Sequence, residues 1–298
     1  MPSPLRRARH LRAIGAWLIP ALAITSQASA GSLDLYYERT LMSAADAHCS
    51  LFTGAVGSAL AASAAQARGT ALRAGVPKTT IVATEIRAKA KAWSTACDSP
   101  DLKIAAARVQ QAFEAYAHMI HMNYPGDHAG WSADRSSSAV AVRWRLMQEV
   151  RQGQDRMMFG LAGRVGANAL MAVADINSDS SPYGARLVMR DEAVTTGPYL
   201  NQQGASLAST PLSRRFSPPG AQKIYPAEAR SPAGLDLLPK GITNGWAFRF
   251  PAAAAQSLAE LDPREAVAID FLFQGEVVRR VYVEVGDFAA GRAFLQVR

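Results

Sequence analysis

The sequence predicts an α+β protein, an N-terminal antiparallel helical bundle followed by an antiparallel, β-sandwich-like domain. Three observations predict it. Residues 32 to about 123 are alanine-rich, almost free of proline, and carry apolar side chains at helical spacing. From Ala139 onward, short runs alternate apolar and polar residues, which is the period of a strand. Turn-forming residues separate those runs, as they do in antiparallel sandwiches. The texture changes near Trp131, so residues 1–30 read as a signal peptide, 31–130 as the bundle and 131–298 as the sandwich-like domain.

The first thirty residues read as an export address. Arg6, Arg7, Arg9 and Arg12 precede the apolar run AIGAWLIPALAI (Ala13 to Ile24), and Ala28-Ser29-Ala30 matches the small-residue cleavage pattern. A helix of that run rises roughly 18 Å, well short of the roughly 30 Å hydrocarbon slab, so no stable membrane anchor is expected. No cysteine follows the cleavage point to carry a lipid. The mature chain would begin at Gly31, in the periplasm or outside the cell.

The helices follow in order. SLDLYYERTLMSAADAHCSLF (32–52) is the first. Thr53 offers a capping hydroxyl to the second, which runs to a stop at Gly75-Val76-Pro77. A third spans roughly Thr79 to Ala96. Ser99-Pro100-Asp101 combines a cap, a proline at the first helical position and an acid in the first turn, and opens a fourth helix ending near Asn123. Four helices with short joints predict antiparallel neighbours.

The strands come next. AVAVRWRLM (139–147) places Val140, Val142, Trp144 and Leu146 on one face. DRMMFGLAG, ALMAVADI, ARLVMRD, WAFRF, AVAIDFLF and VVRRVYVEV read as further strands, with one helix at Ala252 to Leu261. Residues 197–245 are rich in proline, serine and glycine, a long and mostly irregular excursion with room for one or two short strands. A loop of that length is functional or mobile.

Both cysteines lie after the export segment, in a compartment where disulfides persist. A Cys49–Cys97 bridge is expected, structural rather than catalytic, because neither belongs to a C-x-x-C pair. Charge argues against nucleic acid. The whole chain carries 32 basic and 24 acidic residues, but four of the arginines leave with the signal, reducing +8 to +4. The pairs Arg143/Arg145, Arg214-Arg215 and Arg279-Arg280 are scattered and read as solvated surface.

The stretch HMIHMNYPGDH (118–128) is the candidate metal site. With the fourth helix continuing to Asn123, His118 and His121 stand at i and i+3 on one face. Asp127 and His128 would fold back across the Pro125-Gly126 turn as further ligands. Imidazoles suit zinc or copper, and Met122 would join for Cu(I). The competing account is a wet last turn, where histidine favours the helix dipole. No cofactor is otherwise implied. Hydrolase motifs are missing: there is no G-x-S-x-G elbow, S-x-x-K or H-E-x-x-H. Asp175-x-Asn177-x-Asp179 opens like a calcium loop, but Ser180-Ser181-Pro182 follows where glycine and a distal glutamate are needed, so a turn is the reading. Carboxylate pairs such as Asp191 with Glu192 and Glu284 with Asp287 carry no diagnostic spacing. Tyr36, Tyr37, Trp131, Trp144 and Trp246 read mainly as core, with a ligand groove as the alternative.

One likeness rests on the last fifty residues. A helix ending Leu258 to Leu261, strands AVAIDFLF and RRVYVEV, and the ending GDFAAGRAFL together resemble the closing segment of the bacterial invasion-associated locus B family. Its members are secreted or periplasmic β-sandwich proteins with a short helix, two strands and a G-F-x-x-A-type ending. The resemblance covers about a sixth of the chain. The family's cysteines are missing from this half, and the helical half has no counterpart there. It implies a non-enzymatic envelope protein and transfers no catalytic residue. The expected function is therefore an exported, soluble envelope protein that binds an envelope component or protein. A hydrolase with a cleft between the halves and a metal-binding protein using His118 to His128 are the rivals.

Overall fold

A computed structural model describes residues 24–136, 138–167, 169–176, 180–200 and 207–296. The arginines and most of the apolar run of the expected signal lie outside the described residues. Helix α1 (Ile24–Cys49) runs unbroken through Ala28-Ser29-Ala30. Its described buried side chains, Ser32, Tyr36, Thr40, Met42 and Ala45, all follow the expected cleavage point.

The protein is α+β. Helices α2 (Gly54–Arg73), α3 (Lys78–Trp93) and α4 (Pro100–Ala117) complete the N-terminal half. Thr53 caps α2 as its position predicts, its side chain accepting from Val56 N. Pro100 opens α4 with Asp101 in the first turn, although Ser99 makes no side-chain cap. α1 packs on α2 and α3, and α2 on α4. Cys49 and Cys97 form the disulfide, tying the end of α1 to the turn after α3 across a separation of 48 residues.

The strand half makes two antiparallel sheets. The larger comprises β1 (His121–Tyr124), β2 (Trp131–Asp134), β3 (Arg143–Gln152), β4 (Asp155–Gly163), β5 (Ala169–Asp175), β8 (Ala229–Pro232) and β9 (Trp246–Phe250), in the order β1-β2-β3-β4-β5-β9-β8. The smaller runs β11-β10-β6-β7, from β6 (Gly184–Arg190), β7 (Gln222–Pro226), β10 (Ala266–Leu272) and β11 (Val278–Glu284). Helices α5 (Ala252–Glu260) and α6 (Phe288–Leu295) complete the described elements.

One hydrophobic cluster joins these layers. Leu146, Phe159 and Ala172 of the large sheet meet Leu187, Ile269 and Val283 of the small one. Ala62 of α2, Tyr116 of α4, and Phe288 and Phe294 of α6 belong to the same cluster. The helical half is therefore continuous with the strand core, chiefly through α2 against α6. Two ion pairs cross the same junction, Arg73 Nη2 to Asp287 Oδ1 at 2.7 Å and Lys78 Nζ to Glu192 Oε1 at 2.5 Å.

Two sequence expectations need correction. The fourth helix does not reach Asn123. It stops at Ala117, and His121 to Tyr124 pair with Trp131 to Asp134 as an antiparallel hairpin. Arg135 explains the stop. Its guanidinium donates to the carbonyls of Ala117 at 2.9 Å and Phe294 at 2.7 Å, capturing an end carbonyl of α4. Burial then follows the strand period, with Tyr124 in the core, Met122 packed beside it, and Ile120 53% exposed rather than on a buried stripe.

The second correction concerns β3. Val140 and Val142 precede the strand and are exposed, and Trp144 and Leu146 point to opposite faces. A bulge between them shifts the register. Leu146 enters the main cluster, whereas Trp144 lies on the outer face and donates Nε1–H to Leu237 O at 3.0 Å.

Candidate functional site

The candidate metal ligands are dispersed by the end of α4. His118 is the exposed C-cap of that helix, and His121 lies on β1 with Nδ1 3.5 Å from Asp134 Oδ1. The expected i, i+3 pair on one helix face is thus replaced by two residues on different elements. Asp127 Oδ2 accepts from Arg215 Nη1 at 3.0 Å, and His128 Nε2 is 2.9 Å from Thr210 O. Among the described residues, only His48, Cys49 and Cys97 bring three metal-ligating groups together, and both sulfurs there are consumed by the disulfide. Asn177 and Asp179 of the calcium-like run lie outside the described residues.

Asp127 and His128 have another task. They belong to the loop Pro125 to Gly130, which wraps the carboxylate of Glu284 at the end of β11. Backbone N–H groups of Asp127, His128 and Ala129 donate to its oxygens at 2.8, 2.8 and 3.0 Å. Glu284 is fully buried, so three donors are what make its charge tolerable. The loop must pass very close to itself: a Cβ on Gly126 would stand 2.1 Å from Ala129 O. Gln148 completes the knot, accepting from Glu284 N and donating to Glu284 O. Asp287, beside this group, is pushed up by burial and by the charges of Glu284 and Asp127, while Arg73 opposes the shift.

Sequence reasoning assigned Arg214-Arg215 and Arg143/Arg145 to solvated surface. Arg215 is instead fully buried, and Arg145 nearly so. Arg215 donates to Asp127, to Leu207 O at 3.0 Å, and to Thr210 O and Arg264 O at 3.3 Å. It ties the turns at Leu207 to Thr210 in the proline-rich excursion to Asp127 and Arg264, while β7 and β8 join the sheets by pairing with β6 and β9. Only the short spacing of Pro125, Gly126 and Gly130 hinted at a tight loop, and nothing in the local sequence of Arg215 marks it as buried.

With the acids engaged inside, the open concavities become the places where a ligand fits. A depression of about 440 Å³ between α1, α2 and α6 is lined by Asp46, Thr53 and Ser58. Asp46 accepts from Phe52 N, Thr53 caps α2, and Ser58 donates to Ala55 O, so these groups brace the turn.

A larger groove, of about 590 Å³, crosses the outer face of β4, β5 and β9. Residues Gly234 to Leu238 cover only one end of that face, where Leu237 and Leu238 seat against Trp144 and Val173. The uncovered end keeps a floor of small or slim side chains, Ala162, Ala169, Met171 and Ala247. Arg164 and Arg249 stand on its rim, exposed and without a side-chain partner among the described residues, with Asp236 as the one acid lining it. Exposed Val142 and Leu235 extend the apolar surface to the lip. Of the five aromatics that could line a groove, Tyr36, Trp131 and Trp144 are core, half-buried Tyr37 lies under Arg87 at 4.9 Å, and Trp246 lies under Arg230 at 3.2 Å.

No family model, curated protein or solved structure matches the chain.

Proposed function

We propose that this protein is an exported envelope component that works by binding, and that the outer-face groove takes an extended polypeptide segment bearing apolar side chains and a carboxylate. The observation that carries the reading is an apolar trough flanked by two arginines, Arg164 and Arg249, that have no side-chain partner among the described residues. Placing an anion there gains charge-assisted hydrogen bonds at guanidinium groups whose desolvation has no internal compensation to lose. An acyl chain is the less suitable occupant. Small ligands are usually buried over most of their surface, whereas this trough lies open along its length. A polypeptide keeps its backbone half solvated and buries alternate side chains.

On this reading the two sheets form a sandwich with the groove on an outer face, and the N-terminal helices a bundle at its side. The disulfide and the Arg-rich, apolar, small-residue pattern of residues 1–30 support the periplasmic or secreted location. The likeness of Leu258 to Leu295 to a non-enzymatic envelope family points the same way.

The test is fluorescence anisotropy with a short labelled peptide of alternating leucine and glutamate, on the folded, disulfide-intact chain. Saturable one-to-one binding is expected, weakened about tenfold or more by Arg164→Glu with Arg249→Glu. Undiminished binding by the double variant removes the groove from the account. Binding of dodecanoate in place of the peptide would make the ligand a lipid.

A further inference from the structure

Helix α3 buries one face and leaves the other exposed among the described residues. Ile81, Thr84, Ala88 and Ala92 are buried inward. On the opposite side Val82, Ile86 and Trp93 are 45%, 63% and 61% exposed. At 100° per residue these three fall within about 40° of one another, and exposed Ala83 and Ala90 widen the apolar band to about 100°. Cations border both edges. Lys89 lies about 20° to one side of the band, and Arg87 and Lys91 lie about 40° to 80° beyond the other. The helix holds four cations, Lys78, Arg87, Lys89 and Lys91, and one acid, Glu85. Glu85 accepts from Tyr36 OH at 3.1 Å through one oxygen and pairs with Lys89 Nζ at 2.6 Å through the other.

The exposed tryptophan is held in place. His48 lies against the Trp93 ring with centroids 4.4 Å apart, and the Cys49–Cys97 bridge fixes both flanking segments. A water-facing indole braced on one side keeps its other face free.

We propose that this face of α3 docks the protein reversibly on an anionic lipid surface. An apolar band with an interfacial tryptophan, edged by lysine and arginine, is the arrangement with which a helix lies in the headgroup region. On docking, the stem of exposed Lys91 carries its ammonium to a phosphate, and Lys89 exchanges its solvent-exposed Glu85 pair for another, while the band enters the acyl boundary. A second copy is a poorer occupant, because two such faces would bring their cations together. A folded partner protein is poorer too. The band is one helix face roughly 16 Å long, and a stable protein interface needs on the order of 800 Å² from each side. A bilayer needs no matching surface.

The experiment is co-sedimentation with phosphatidylglycerol-containing vesicles, compared with pure phosphatidylcholine vesicles, using the disulfide-intact full chain. Wild type should bind the anionic vesicles and lose that binding in high salt. Ile86→Ser with Trp93→Ser should weaken binding about tenfold or more, and so should Lys89→Glu with Lys91→Glu, which leaves the apolar band intact. Ile104→Ser, at an exposed site on α4, should change nothing, and nor should the groove variant Arg164→Glu/Arg249→Glu. Binding by either α3 variant as strong as that of wild type, or binding that ignores lipid charge, would overturn the proposal. Concentration-dependent dimers abolished by the same substitutions, without vesicle binding, would overturn it in favour of a second copy.

Discussion

At Gly160 the backbone of β4 passes so close to β3 that a Cβ would stand 1.9 Å from Leu146 O. The contact lies beside the β3 bulge, which turns Trp144 outward and Leu146 inward. Gly160→Ala must therefore push the two strands apart, and a loss of about 3 kcal/mol or more is expected from urea unfolding. A loss under about 1 kcal/mol would mean that the bulge yields freely. Asp270 makes a second prediction at this scale. Its buried carboxylate receives Arg280 Nε at 2.6 Å and Arg186 Nε at 3.0 Å. Burial pushes the carboxyl up, but the two guanidinium groups outweigh it and hold it below the ordinary 3.8. A folded-state value below the unfolded one adds stability that is complete above the unfolded pKa and lost as pH falls through the folded pKa. Between about pH 6 and about pH 3, Asp270→Asn should therefore lose less stability than wild type does. An unchanged acid limb would contradict the pairing.

Within the described excursion, β7 and β8 are held by pairing with β6 and β9, and the turns from Leu207 to Arg215 by one side chain. Arg215 satisfies the carbonyls of Leu207 and Thr210 before it, that of Arg264, and the carboxylate of Asp127. Arg215→Met keeps much of the volume but strips those acceptors of their donor, at a cost of about 3 kcal/mol. Limited proteolysis should then cut between Leu207 and Ala221 before any other described segment, whereas wild type resists there. Equal resistance in both would relocate the anchor. Long elements such as α1, α2 and β11 were legible because burial on one face writes a period into the sequence. Strands β4 and β10, buried on both faces, were legible as short apolar runs bounded by turn residues. The hairpin β1–β2 was not, since four-residue strands hold too few positions to show a period and HMIHMN continues the spacing of α4. The candidate ligand pair, weighed against a wet helix end, has the same origin: a helix running on to Asn123 would put His118 and His121 on one face. Arg135, eighteen residues beyond Ala117, ends that helix through a tertiary contact that no local pattern records. Cys49–Cys97 was legible from a count of two cysteines and the expected export segment.

For the molecule as a whole, the arrangement separates what is held from what is open. Buried charge is spent on assembly: Glu284 fixes the Pro125 to Gly130 loop, Arg215 the turns at Leu207 to Thr210, and Arg73 with Asp287 the seat of α2 beside α6. The groove was invisible in the sequence because its floor comes from β4, β5 and β9 and its covered end from Gly234 to Leu238, segments joined only by folding. Its occupancy can be read directly, since Met171 lies in the floor whereas Met42, Met157 and Met189 are buried elsewhere. With methyl-13C methionine and the leucine–glutamate peptide as titrant, the Met171 methyl resonance should move progressively to saturation while those of Met42 and Met189 stay fixed. A saturable shift at Met119 or Met122, beside the histidines, with Met171 unmoved, would contradict the groove as the recognition site.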